Sequence, residues 1–206
     1  MKKILIFILL LSISHIIISQ TNSNYILVIN GDSIPINLNK DYKHKLNKKN
    51  VSIKLIQPLT LSYSDDVISF KYPNDLSVSK TQIEKSIQQL MVMTATGSGY
   101  MIQTYSGFDP SALTQLMVNE ITKESVTYGY TKEEEEIEFN LVSGHVLKGL
   151  KATLKYKDDT EIYTVTAYGG KDEGIMVITM YLSNEYKNED VINLLMDSLS
   201  IKDTKN

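Results

Sequence analysis

Few residues in this 206-residue chain have the types and spacing that chemistry needs. Ser98 stands between two glycines, in Gly97-Ser98-Gly99. A phosphate loop requires a further glycine, a lysine and a following helix whose amides face the anion. A nucleophile elbow requires a longer motif. The triplet therefore reads as a hairpin turn. His145 follows Gly144 at the start of a strand pattern. A general base needs a partner within hydrogen-bond reach, and the spacing names none. It reads as a structural or surface histidine. The chain has three histidines and no cysteine, so no zinc site is expected. Glu133, Glu134, Glu135 and Glu136 supply the oxygen ligands that calcium prefers. Contiguous strand residues alternate faces, however, and cannot all converge on one ion. The run reads as solvated.

Two other sets have the right chemistry for binding. Met91, Met93, Met101, Met117, Met176, Met180 and Met196 can fill a core or, with tyrosines, line an adaptable pocket. Two lysine groups can steer an anionic partner: Lys43, Lys45, Lys48 and Lys49, then Lys151, Lys155 and Lys157. The first group also reads as a solvated loop and a lysine-blunted strand edge. No catalytic constellation and no cofactor motif emerges from these residues.

The elements that must carry these residues are clearest from Val146 to Ile201. Leu150, Ala152, Leu154 and Tyr156 alternate with Lys151, Thr153, Lys155 and Lys157, which predicts a strand with one dry face. Asp158-Asp159 predicts a turn. Glu161–Tyr168 is β-branched and aromatic. Ile175–Leu182 is apolar on both faces, the mark of a central strand covered twice. Asn188 is the expected cap of a helix whose stripe is Val191, Ile192, Leu194, Leu195, Met196 and Leu199.

Upstream, Tyr25–Ile29 and Ser33–Leu38 predict a hairpin through Asn30-Gly31, with Pro35 on an edge. Val51–Leu61 reads as one strand, or two broken at Pro58, and Val67–Pro73 as the next. Ile87–Thr94 and Tyr100–Tyr105 predict a hairpin. Asp109 and Pro110 open a helix with Leu113, Leu116, Met117 and Ile121 buried. Ile137, Phe139 and Leu141 alternate as a strand that ends at Ser143-Gly144.

Met1-Lys2-Lys3 followed by the apolar run Ile4–Ile18 reads as a signal peptide, residues 1–20. The run is short for a bilayer span. Removing Lys2 and Lys3 takes the formal charge from −3 to −3 − 2 = −5. That argues against a nucleic-acid partner. An exported chain without cysteine must rely on a packed core.

Ser69-Phe70-Lys71-Tyr72-Pro73-Asn74-Asp75-Leu76 resembles the opening strand of the PsbP-like family, which includes Ran-binding Mog-type and DcrB-type envelope proteins. The strands and terminal helix of Val146–Ile201, closing in Asp197-Ser198-Leu199-Ser200-Ile201, resemble the far end of that fold. The resemblance covers roughly residues 67–201. It implies an α/β (α+β) domain, a sandwich whose central antiparallel sheet has helices on both faces. The domains expected are a β-hairpin extension over 21–64 and the α/β domain over 65–206. The function implied is an exported, non-enzymatic binding or assembly accessory protein of the bacterial envelope, periplasmic or secreted. Its partner would be a protein or a lipid. The alternative is a carrier of a small hydrophobic ligand or lipid in a Met/Tyr-lined cavity. Export is directly testable. N-terminal sequencing of the native protein is expected to begin near residue 21, and a start at Met1 in a membrane pellet would show an anchor instead.

Overall fold

Alternation builds sheets here, and the computed structural model contains more of them than the sequence reading anticipates. It describes residues 25–46, 48–170, 172–182 and 188–202. The expected signal peptide, residues 1–20, lies outside these. Two compact units divide between Gln57 and Pro58. The boundary falls there because Thr60–Ser64 pairs with Ile68–Pro73 in the second unit.

The first unit holds two hairpins. β1 (Tyr25–Ile29) pairs with β2 (Asp32–Ile36), and β3 (Asp41–Leu46) with β4 (Lys49–Lys54). Asn30 and Gly31 both have positive φ, 51° and 92°, as a two-residue hairpin turn requires. Pro35 sits in a two-stranded sheet, where every strand is an edge.

The second unit is dominated by one antiparallel sheet of seven strands. These are β7 (Ser79–Glu84), β8 (Ile87–Met93), β9 (Gly99–Ser106), β10 (Thr131–Asn140), β11 (Val146–Tyr156), β12 (Asp159–Gly169) and β13 (Glu173–Leu182). Their order is β10-β11-β12-β13-β9-β8-β7, so β13 is central. Gly174, Ile175, Met176, Val177 and Ile178 are consecutive and all buried, as its two apolar faces predict.

Each face has its own cover. On one, α1 (Thr114–Tyr128) packs Val118 against Ala152, Leu154, Val165, Ala167, Met176 and Ile178. A single turn of tighter helix, Pro110–Leu113, precedes it, and Asp109 Oδ1 accepts from Ser111 N–H at 2.8 Å. Gly129 ends the helix at φ 115°, and its N–H bonds back to Ser125 and Val126 carbonyls. Gly169 and Gly174 let the turn sit down on the sheet. A Cβ on Gly169 would lie 2.1 Å from Asp109 Oδ1, and one on Gly174 would lie 2.4 Å from Pro110 Cδ. On the other face, Leu90, Val92, Tyr100, Ile102, Ile175 and Val177 are covered by a second sheet together with a short helix. The sheet consists of β5 (Thr60–Ser64), β6 (Ile68–Pro73) and β14 (Ser200–Ile201), in the order β14-β6-β5. Ile68, Phe70 and Ile201 point inward, and the nine-residue α2 (Asn188–Met196) adds Val191 and Leu195.

This corrects the expected α/β class with helices on both faces. Among the described residues the structure is β-rich, 59% strand and 15% helix, with helices serving as accessories to sheets. The physical reason is that strand residues such as Ile68 and Phe70 share the drying of the second face with Val191 and Leu195 of the short α2. Smaller differences follow the same logic. Leu116 is exposed, not buried, because α1 meets the sheet along Leu113, Met117, Val118, Ile121 and Thr122. β10 begins at Thr131, so the acidic run lies inside a strand. The turn after β11 is Lys157-Asp158, since Tyr156 pairs with Asp159 and Lys157 has φ 53°. The capping expected of Asn188 lies outside the described side chains. Leu195 is fully buried. Leu195→Ala should cost about 2–5 kcal/mol in urea unfolding, and a loss below about 0.5 kcal/mol would show that α2 does not close the core.

Candidate functional site

Opposite residues of paired strands share a face, so register decides what meets across the sheet. One rung runs through Lys80, Leu90, Ile102, Val177 and Thr166. Its last four members are buried beneath the covering sheet, while Lys80 stands exposed at the edge. The next rung runs through Gln82, Gln88, Thr104, Ile175 and Tyr168. Here the cover stops, because the chain reverses at Asp65–Val67 between β5 and β6. The result is a cleft of about 440 Å3 floored by that rung. Asp65, Asp66, Val67, Ile201 and Lys202 line it from the covering sheet. Lys80, Lys85 and Ser86 line its β7 end, and Gly170 and Glu173 the opposite end.

The turn that forms the cleft is held by one carboxylate. Asp65 Oδ1 accepts from the N–H groups of Val67 and Ile68, both at 2.9 Å, and Oδ2 accepts from Tyr63 O–H at 2.9 Å. Burial raises the Asp65 pKa, but these hydrogen bonds and the nearby Lys80 charge outweigh it, and the net shift is downward from 3.8. Tyr63 moves oppositely, to about 12, through burial and its bond to Asp65. Lys202 donates to Ser64 Oγ at 2.9 Å and to the Asp65 carbonyl. Asp65 and Lys202 are thus committed to the turn. Lys80 and Lys85 are exposed on the cleft's open end.

The residues singled out from sequence lie elsewhere. Lys151 Nζ sits 2.8 Å from Glu135 Oε1, and Lys155 Nζ 3.9 Å from Glu133 Oε2. Lys148 Nζ pairs with Glu138 at 2.8 Å and Lys132 Nζ with Glu134 at 2.6 Å. The acidic run is therefore the counter-charge of the lysine strand, and the face is not a positive patch. Exposed pairs of this kind contribute at most about 1 kcal/mol each. Lys157 lies in a turn with Nζ 4.8 Å from the Tyr156 ring centroid. Lys43 and Lys45 share the exposed face of β3, Lys48 is in the following turn at φ 63°, and Lys49 pairs with Leu46 on the opposite face. The four do not converge.

Ser98 is buried in the hairpin turn, and its Oγ accepts from Leu182 N–H at 3.1 Å. Ser143 Oγ lies 3.0 Å from His145 Nδ1 and accepts from Ile201 N–H at 3.2 Å. The His145 ring meets Tyr168 edge-on at 4.6 Å. These contacts tie β14 to the end of the large sheet. Met176 is fully buried, and Met101 and Met117 pack beside it under α1. None of the seven methionines lines the cleft. Among the described residues, no group of three or more His, Asp or Glu is placed to hold a metal, and no helix is long and apolar enough to cross a membrane.

The cleft residues Lys80 and Lys85 escape sequence reasoning because every residue of β7 is exposed. Such a strand has no apolar period, and only Thr81 and Ile83 hint at β structure. No protein-family model matches the chain, and no curated protein matches it in sequence.

Asp65 also sets a pH dependence. Its folded pKa lies below its unfolded value, so its stabilising contribution is full above about pH 4 and is lost as the pH falls through the folded value. Thermal melts of Asp65→Asn should show lower stability at neutral pH and a shallower acid limb than wild type. Parallel acid limbs would remove Asp65 from this role.

Proposed function

We propose that this chain is an exported, non-enzymatic binding protein of the bacterial cell envelope that holds a polar partner in the cleft beyond Asp65. The observation that carries this reading is the cleft itself. It is a sizeable recess on a sheet floor, lined chiefly by charged and polar side chains, and concave recesses are where binding sites concentrate. Its lining mixes Lys80, Lys85, Asp66 and Glu173 with Thr104, Ser86 and Ser106. That chemistry suits a protein segment with charged and hydroxyl groups better than a lipid tail. The carrier alternative draws no support from the methionines: Met101, Met117, Met176 and Met196 pack in the cores, and none of the seven lines the cleft. Charge at the open end adds to encounter rate more than to fixed affinity, and salt screens it within about 8 Å at physiological strength.

The test is capture from an envelope fraction with the purified mature protein, with mass spectrometry of both proteins and lipids. Wild type should retain a protein that the Lys80→Glu, Lys85→Glu variant loses, and retention should fall as salt rises. A partner held equally by both forms would move the site away from the cleft. Turnover of a substrate, abolished by one substitution that leaves the fold intact, would defeat the binding reading altogether.

A further inference from the structure

A strand at the end of a sheet leaves one row of N–H and C=O groups without sheet partners, which is a template for another strand. The large sheet has two such ends, and they differ. β10 carries Glu133, Glu134, Glu135, Glu136 and Glu138, a charged edge of the kind that discourages pairing. β7 reads Ser79-Lys80-Thr81-Gln82-Ile83-Glu84, with no acid before its last residue and every residue exposed. Its register with β8 is regular from Ser79 to Gln82 and shifts between Gln82 and Glu84. The regular part is also the part beside the cleft, where Lys80 and Gln82 line it.

We propose that β7 accepts an extended peptide segment as an eighth strand, and that the segment carries acidic side chains at alternate positions. This rests on the reading of the cleft as the binding site and names its occupant. Main-chain hydrogen bonds to an edge supply affinity, while alternate side chains entering a recess supply specificity. In an added strand, side chains opposite Lys80 and Gln82 fall on the cleft face, and those opposite Ser79 and Thr81 fall on the other. Directly opposite Cβ atoms lie about 5 Å apart, within reach of a lysine. Lys80 on the strand and Lys85 in the turn after it are the exposed cations at this end of the cleft; the Asp65 carboxylate keeps its charge near Lys80, but its oxygens are spent on the turn.

The probe is the blocked peptide Ac-Thr-Glu-Val-Glu-Val-Thr-NH2, titrated into the full mature chain by calorimetry. Two analogues carry N-methyl groups on alternate residues, one on the odd set and one on the even set. Only one set of N–H groups can face β7, so one analogue should bind about tenfold or more weakly while the other matches the parent. Lys80→Glu with Lys85→Glu should abolish binding of all three. If both analogues match the parent and the lysine variant abolishes binding, the cleft holds an anion without adding a strand; the proposal then falls and the cleft reading stands. Binding indifferent to the lysines overturns both. No binding at millimolar peptide, or sedimentation showing a dimer that the peptide leaves intact, overturns the proposal.

Discussion

β13 is dry on both faces, and the second unit is arranged to keep it so. Met176 and Ile178 turn to α1, while Ile175 and Val177 turn to the side covered by β6, β14 and α2. Each such side chain contributes roughly 1.5–3 kcal/mol when fully buried, so neither cover is dispensable. The two covers differ in kind. One is a fifteen-residue helix laid over β11 and β12. The other is a short sheet stapled by a two-residue strand near the C-terminal end of the described chain. The second cover is smaller than the face beneath it. The cleft is the part of that face it leaves open.

Polar contacts hold the edges of this arrangement. The Asp65 carboxylate closes the β5–β6 turn with three hydrogen bonds, and Ser143 and Lys202 anchor β14 to its surroundings. Along β10 and β11, acids and lysines face each other in register, which satisfies charge on an exposed edge without building a field that would draw a partner. Charge at β7 has no such partner strand. The two ends of one sheet are thus chemically unequal, and that inequality gives the cleft a direction: its β7 end carries the exposed Lys80 and Lys85, and its main chain is open.

Much of this architecture is legible in the residues. Tyr25–Ile36 contains its own turn in Asn30-Gly31, and Ile175–Leu182 declares a central strand by being apolar on both faces. Lys151, Thr153 and Lys155 alternate with Ala152 and Leu154 as the burial of β11 shows. These features are local: period, turn chemistry and propensity are properties of a few neighbouring residues. The alternation of Glu133–Glu138 is equally local, yet its meaning is not. That Glu135 neutralises Lys151 depends on the register of two strands, which no segment contains by itself.

The class of the fold and the place of the site belong to that second kind of information. Sequence alone determines that there are many strands and a terminal amphipathic helix. Only the tertiary structure decides that a second sheet joins the terminal helix in covering Leu90, Ile102 and Val177. It also decides that Gln82, Gln88, Thr104, Ile175 and Tyr168, drawn from positions 82 to 175 of the chain, form one rung. The physical reason is that apolar periodicity records that a face must be buried but not what buries it. An edge strand such as β7 buries nothing, and so leaves no period in the sequence to be read.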